Sequence, residues 1–146
     1  MGTLLLVEDE PTVRHGMELF LRQRGFTVLV ATNGEEALAK YSRADVVILD
    51  IMLPGLSGIE VLSRIRQQSD VPVLMLTALQ DEPTQIASFD ELADDYISKP
   101  FSLVILEKHI RALLRRQRSA TKDQWRRGLA KVDFEAYQGF YDGGDA

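Results

Sequence analysis

Short apolar runs alternate with stretches of helical spacing through most of this chain. The runs are apolar throughout, as in Leu4-Leu5-Leu6-Val7 and Val46-Val47-Ile48-Leu49. Continuous rather than alternating apolar residues are typical of strands that are covered on both faces of a sheet. The pattern therefore predicts five buried strands, at Thr3–Val7, Phe26–Ala31, Asp45–Asp50, Val71–Thr77 and Asp95–Ser98.

The segments that follow these strands have apolar residues at helical spacing. Pro11 suits a first helical turn, Gly25 suits a helix end, and Ser57 followed by Glu60 is typical of a capping box. Strands and helices in strict alternation indicate an α/β fold, with parallel strands between two layers of helices. The predicted helices are Pro11–Arg24, Gly34–Ser42, Ser57–Gln68, Pro83–Leu92 and Ser102–Arg118.

The last part of the chain differs in kind. Residues 117–127 are polar and basic, and the residues after them alternate apolar and polar side chains as half-exposed antiparallel strands do. Because two isolated strands are marginally stable in water, we expect them to open a second domain of a longer protein. The predicted organisation is one domain over 1–118, a linker over 119–127 and the first strands of an incomplete domain over 128–146.

The amino-acid composition excludes several classes of protein. The absence of cysteine excludes disulfides and thiolate metal sites, and no apolar stretch approaches the roughly 20 residues that cross a membrane. The start lacks the features of a signal peptide, so we predict a cytoplasmic protein with no membrane partner.

Residues 108–127 hold 8 Lys/Arg against 1 Asp/Glu, within a net charge of −5 for the whole chain. That basic block fits either nucleic-acid contact or a solvated helix face that leads into the linker.

Acidic residues follow two of the buried strands. Glu8 and Asp9 come directly after the first strand, and Asp50 ends the third. The carboxyl ends of parallel strands meet at one edge of the sheet, where open α/β folds bind ligands. Carboxylates so close together raise one another's pKa unless a cation compensates them, and an all-oxygen site suits Mg²⁺. The alternative is that Asp9 or Glu10 only caps the following helix, which leaves Asp50 unexplained.

Two further strand ends carry polar side chains. Thr77 ends the fourth predicted strand, and Lys99 follows the fifth. Either residue alone has an ordinary explanation, as a strand-forming threonine or a solvated lysine. Beside an aspartate and a divalent cation, however, they can hold a phosphoryl group, because lysine and metal neutralise its oxygens while Asp50 attacks phosphorus in line.

The strand ends carry the sequences Glu8-Asp9-Glu10-Pro11, Asp50-Ile-Met-Leu-Pro-Gly-Leu-Ser-Gly58, Leu76-Thr77-Ala78 and Asp94-Asp95-Tyr96-Ile97-Ser98-Lys99-Pro100-Phe101. Together these sequences resemble the receiver domain of two-component response regulators. The resemblance covers roughly residues 2–118 and implies a flavodoxin-like (βα)5 three-layer sandwich, with a parallel five-stranded sheet of order 2-1-3-4-5. The later sequences Ala112-Leu-Leu-Arg-Arg116 and Leu129-Ala-Lys-Val-Asp133 are similar to the OmpR/PhoB subfamily of winged-helix transcription factors.

The resemblance implies a role for each residue at the strand ends. Asp50 is expected to accept a phosphoryl group from a sensor histidine kinase, and Lys99 to pair with a phosphate oxygen. Mg²⁺ is expected to bind Asp9, Asp50 and the backbone carbonyl of Met52, while Glu8 acts through bound water. The chain is therefore expected to phosphorylate and dephosphorylate itself at Asp50 without being a turnover enzyme.

The resemblance also implies a switch. Thr77 and Tyr96 are expected to form a pair in which the hydroxyl turns towards the phosphate and the ring moves inward. The Lys99–Pro100 peptide bond is expected to be cis. In the full-length protein the switch would control transcription, with DNA bound only through the missing effector domain.

The expected dimer face departs from the family pattern. Members of this subfamily dimerise through the fourth helix, fifth strand and fifth helix, using crossed salt bridges. Three usual charged positions of that face carry Gln85, Ile105 and His109 here. Because charges are lost and Val104 and Ile105 are present, we predict a homodimer whose contact is more apolar and less sensitive to salt.

The positions two residues beyond Asp50 and Thr77 adjust the access of the hydrolytic water in the family. They are Met52 and Leu79 here, and neither apolar side chain can orient a water molecule. We therefore predict slow self-dephosphorylation.

Three other interpretations fit parts of the pattern. A haloacid-dehalogenase-like phosphatase also uses a strand-end aspartate, but it needs a second acid where this chain has Met52. A flavodoxin-like cofactor binder needs a phosphate-binding loop after the first strand, where this chain is acidic. The main alternative is a receiver that acts as a protein-interaction module without phosphorylation.

Overall fold

A parallel five-stranded sheet forms the centre of the fold. The computed structural model describes residues 2–78 and 92–122, with side chains up to residue 116. In these ranges the strands lie in the order β2-β1-β3-β4-β5, all parallel, so the predicted fold class and strand order are confirmed. The strands are β1 (Thr3–Val7), β2 (Thr27–Ala31), β3 (Val46–Asp50), β4 (Val73–Ala78) and β5 (Asp95–Lys99).

Helices follow the strands, and the described ones are α1 (Pro11–Gln23), α2 (Gly34–Lys40), a 3-10 turn at Tyr41–Arg43, α3 (Gly58–Arg66) and α4 (Leu103–Lys122). Helix α4 is the predicted fifth helix, because all but the last residue of the predicted fourth, Pro83–Leu92, lies outside the described residues. Helix α4 also runs past its predicted end at Arg118 into the predicted linker.

The chain divides into two units, Met1–Leu114 and Arg115–Ala146, and of the second only residues 115–122 are described. The predicted strands over 128–146 therefore lie outside the described residues as well.

The sheet separates two apolar clusters. Alternate residues of β1 enter opposite clusters, with Leu4 and Leu6 on one side and Leu5 and Val7 on the other. Helices α1 and α4 cover the first cluster, and α2 and α3 cover the second. All four of these leucine and valine side chains are fully buried, which explains why the strands are apolar throughout. Within the described ranges, no helix has the length and apolar character that a membrane span needs.

Helix α1 ends in a glycine with a left-handed backbone. Gly25 has a φ of 98°, its amide donates to the Arg22 carbonyl at 3.0 Å, and the Phe26 amide donates to the Leu21 carbonyl at 3.2 Å. These two bonds form a Schellman motif, and Phe26 and Leu21 lie in the same apolar cluster. Because Phe26 completes the helix end, β2 begins at Thr27, one residue later than predicted.

Side chains cap the helices near the predicted starts. Glu10 caps α1 by accepting from the Val13 amide at 2.9 Å. Ser57 caps α3 by accepting from the Glu60 amide at 3.2 Å, which is one of the two bonds of the predicted capping box. The Glu60 carboxylate itself forms an ion pair with Arg64 at 3.2 Å. Helix capping therefore explains Glu10, but it does not explain Glu8 or Asp50.

Candidate functional site

Four strand ends deliver polar side chains to one edge of the sheet. Asp50 is in register with Leu76, so Thr77 lies one residue further along the neighbouring strand. Ala78 at the end of β4 is in register with Lys99 at the end of β5. Among the described residues, the polar ones with buried side chains are Glu8, Asp50 and Thr77, which lie at this edge and are only 2–3% exposed. The predicted convergence of these strand ends is what the parallel sheet produces.

Both carboxylate oxygens of Asp50 have a partner. The Lys99 Nζ atom lies 2.5 Å from Oδ2, and the Met52 amide donates to Oδ1 at 2.9 Å. A lone buried carboxylate is costly, and the lysine offsets part of that cost with an opposite charge. Asp50 is therefore a buried acid that is oriented by one backbone amide and compensated by one cation.

Glu8 is a second buried acid beside Asp50. Its Oε2 accepts from the Glu10 amide at 3.1 Å, whereas Oε1 has no hydrogen-bond partner among the described residues. Burial raises the pKa of Glu8 to about 7, and the neighbouring Asp50 carboxylate adds to the increase. An unsatisfied oxygen at this depth costs free energy in the absence of a ligand, so Glu8 marks a place where one can bind.

Two of the three predicted metal-binding acids meet in this structure. Asp9, next in the chain after Glu8, is exposed, and no three His, Cys, Asp or Glu side chains of the described part of the chain converge as a metal site. Lys99 faces two buried carboxylates, so the edge is short of positive charge. All the side-chain donors are carboxylate oxygens, and one of them is buried without a partner, which fits a hard cation such as Mg²⁺.

The two predicted switch residues lie on adjacent strands in different environments. Thr77 on β4 is 2% exposed, whereas Tyr96 on β5 is 45% exposed. In the sheet register Tyr96 aligns with Met75, two residues before Thr77. The peptide bond between Lys99 and Pro100 is cis, as predicted.

A close backbone contact holds the loop after Asp50, and the sequence reasoning gave it no role. A Cβ atom on Gly58 would lie 2.3 Å from the Asp50 carbonyl oxygen and 2.7 Å from the Ile51 Cα atom. The Gly58 amide donates to the Ile51 carbonyl at 2.9 Å. The first residue of α3 therefore packs directly on the backbone that carries Asp50, and only glycine fits this geometry.

Arg14 is a second residue that sequence reasoning missed. Its Nη1 donates to the backbone carbonyl of Glu8 at 3.0 Å and to that of Asp9 at 3.3 Å. A helical side chain leans back over the preceding turn, so an arginine four residues after Glu10 could have been expected to reach this loop.

The predicted dimer face is partly described. Val104 and Ile105 are 48% and 44% exposed, so both apolar side chains lie at the surface. The His109 Nδ1 atom lies 2.5 Å from Asp95 Oδ2 within the same chain. Gln85 and Leu79, on which the dimer and hydrolysis predictions also depend, lie outside the described residues.

Residues 4–111 match the family described as the response regulator receiver domain. Response regulator RR06 of Streptococcus pneumoniae is 44% identical over 140 residues, which are 94% of this chain and 64% of the relative. Regulatory protein VanRB of Enterococcus faecalis is 45% identical over 122 residues, which are 82% of this chain and 56% of the relative. The chain thus spans less than two thirds of the length of these curated relatives, which are OmpR/PhoB-type regulators.

A solved structure shows the same fold. The response regulator protein TrrA of Thermotoga maritima, in complex with Mg²⁺ and BeF, has 37% identity and a TM-score of 0.69. The match covers 77% of this chain and 99% of that chain. The family match, the relatives and this structure agree with the resemblance inferred from the strand-end sequences.

Proposed function

Because this chain belongs to the family of response regulator receiver domains, we propose that it is a phosphoacceptor of a two-component system. Asp50 accepts a phosphoryl group from the phosphohistidine of a sensor histidine kinase. The observation that supports this role most strongly is the buried Asp50 carboxylate, with Lys99 Nζ at 2.5 Å from Oδ2 at the common edge of the strands.

The partners of the two carboxylate oxygens suggest which of them reacts. Oδ1 stays with the Met52 amide, so Oδ2 is the oxygen that attacks phosphorus. A new P–O bond forms as the P–N bond of the phosphohistidine breaks, and the imidazole nitrogen keeps the electron pair and takes up a proton. Lys99 moves from Oδ2 to a phosphoryl oxygen, where it continues to compensate negative charge.

We propose that Glu8, Asp9, Asp50 and the backbone carbonyl of Met52 hold Mg²⁺, with Glu8 acting through bound water. When bound, the ion supplies positive charge to the phosphoryl oxygens. The unpartnered Oε1 of Glu8 supports a ligand at this place, and TrrA is a relative whose structure contains Mg²⁺ with BeF. Asp9 is exposed and next to Glu8 in the chain, so its side chain would have to turn towards the other two acids to bind the ion.

The switch follows from the change of charge at Asp50. Phosphorylation adds about −1.5 to −2 charge units at neutral pH. The buried hydroxyl of Thr77 turns to donate to the phosphoryl group, and the half-exposed ring of Tyr96 moves inward. The face that contains Tyr96 then changes shape, and this change is the output of the domain.

We propose that the output is dimerisation on a largely apolar face. Tyr96, Val104 and Ile105 are all exposed, while Asp95 and His109 already contact each other within one chain. Two copies that meet there bury apolar surface without needing crossed salt bridges. In the full-length cytoplasmic protein, dimerisation controls transcription through a DNA-binding effector domain.

Binding of a phosphoryl analogue tests the proposal. Isothermal titration of the chain with beryllofluoride in the presence of Mg²⁺ should give one site per chain in the wild type. The Asp50→Asn variant should lose that site, whereas Asp70→Asn, an exposed aspartate before the start of β4, should keep it. Equal binding by the wild type and the Asp50 variant would contradict the proposal, and no binding at all would favour the phosphorylation-independent alternative.

A further inference from the structure

Arg14 fixes the backbone of the loop that carries the strand-end acids. It is the fourth residue of α1, is half-buried, and donates from one nitrogen to the carbonyls of both Glu8 and Asp9. Those two carbonyls belong to the peptide units on either side of the Asp9 Cα atom. The guanidinium therefore sets the direction in which the Asp9 side chain leaves the backbone, because it holds both neighbouring peptide planes.

The same contact reaches the Glu8 carboxylate through one peptide unit. The peptide between Asp9 and Glu10 has its carbonyl bonded to Arg14 at 3.3 Å, and its amide donates to Glu8 Oε2 at 3.1 Å. Both ends of this peptide are thus held. Since Oε2 is held by this amide, Oε1 remains as the buried oxygen without a partner among the described residues.

We propose that Arg14 is a positioning residue for the divalent cation at Glu8, Asp9 and Asp50. The inference rests on the proposed metal site and adds to it the residue that arranges two of its acids. Arg14 acts through backbone atoms, because its own positive charge opposes a cation nearby.

Because the Arg14 charge repels a cation, the direction in which Mg²⁺ affinity changes when Arg14 is removed tests the proposal. If only charge mattered, removing the guanidinium would strengthen Mg²⁺ binding, because one repulsion is lost. If the hydrogen bonds to the loop matter more, removing it weakens Mg²⁺ binding. Groups that orient metal ligands typically contribute about 10–100-fold in metal affinity, and here we expect about 10-fold because the contact is indirect.

The test is titration of the whole chain with Mg²⁺ by calorimetry, for the wild type, Arg14→Met and Arg14→Lys. Arg22→Met is a matched control, since Arg22 also lies on α1 and donates to a backbone carbonyl, that of Val28 at 2.7 Å, at the other end of the helix. We expect Arg14→Met to raise the Kd for Mg²⁺ about 10-fold, Arg14→Lys to raise it less, and the control to stay within about twofold. Thermal unfolding in a chelator separates any loss of fold stability from the loss of affinity.

Each outcome bears on a different part of the inference. Equal or tighter Mg²⁺ binding by a folded Arg14→Met variant overturns the role of Arg14 and leaves the proposed metal site intact. If the wild type itself binds no Mg²⁺, the proposed metal site fails and the inference fails with it. Should Arg14→Met not fold, Arg14→Lys decides, because an unchanged Kd in that variant would contradict positioning by the Arg14 guanidinium.

Discussion

Gly58 packs closely against the end of β3, and this contact predicts that a larger side chain at position 58 destabilises the fold. A Cβ at position 58 would lie 2.3 Å from the Asp50 carbonyl oxygen, whereas real Cβ contacts essentially never fall below 3.0 Å. The Gly58→Ala variant must therefore open this gap by at least 0.7 Å, the difference between the two distances. The three atoms nearest to the new methyl group, the Asp50 carbonyl oxygen and carbon and the Ile51 Cα, are backbone atoms that cannot rotate away.

The cost of this displacement can be estimated. Overpacking of a well-packed interior typically costs about 1–3 kcal/mol. Because backbone has to move, we expect the upper end, a free energy of unfolding about 3 kcal/mol below that of the wild type. The movement also shifts the loop in which the Met52 amide orients Asp50 Oδ1, so binding of beryllofluoride with Mg²⁺ should weaken in the same variant.

Gly16 offers a control of opposite sign. It lies inside α1, and a Cβ added there would have no heavy atom within 4 Å. Gly16→Ala should therefore raise the free energy of unfolding by about 0.5–1 kcal/mol, as glycine-to-alanine changes in helices do. Urea unfolding of the three proteins measures both effects. If Gly58→Ala unfolds at the urea concentration of the wild type, the close contact does not exist in solution and this reasoning is refuted.

Three further predictions concern pH, phosphate lifetime and association. The pKa of Glu8 is raised to about 7 from 4.5, so the folded chain binds this proton more tightly and, without metal, should lose stability as pH rises from about 4.5 through about 7. Urea unfolding in a chelator should show that Glu8→Gln removes this loss while the exposed control Glu35→Gln retains it; the same slope in Glu8→Gln and wild type would contradict the assignment. The phosphorylated chain with Mg²⁺ should persist far beyond seconds, because Met52 and Leu79 cannot orient water; a half-life of seconds by quenched mass spectrometry argues against this. The dimer formed with beryllofluoride and Mg²⁺ should be weakened by Ile105→Glu and little affected by salt in analytical ultracentrifugation, whereas sharp dissociation at high salt would indicate a salt-bridged contact.

The fold could be predicted because its signals are local. Uninterrupted runs such as Val46-Val47-Ile48-Leu49 identify strands that are buried on both faces, and residues such as Pro11 and Ser57 identify helix starts. Element ends were less predictable, because they depend on individual capping bonds of the backbone. Phe26 looks like a strand residue in sequence, but its amide completes the end of α1.

The residues that form the site could be predicted from the sequence, whereas the contacts between their atoms could not. A parallel sheet brings strand ends together, so Glu8, Asp50, Thr77 and Lys99 could be grouped from sequence alone. The partner of each oxygen could not, because the Lys99 contact with Asp50 spans 49 residues and depends on how the loops pack. The close approach of Gly58 to Asp50 is missed for the same reason.

The most direct measurement is the intact mass of the chain after incubation with a small-molecule phosphodonor and Mg²⁺. We predict that the wild type and Asp70→Asn gain the mass of one phosphoryl group, that peptide mapping places it on Asp50, and that Asp50→Asn gains nothing. A mass gain that survives in Asp50→Asn, or a wild type that gains no mass, would contradict the role of Asp50 as the phosphoacceptor.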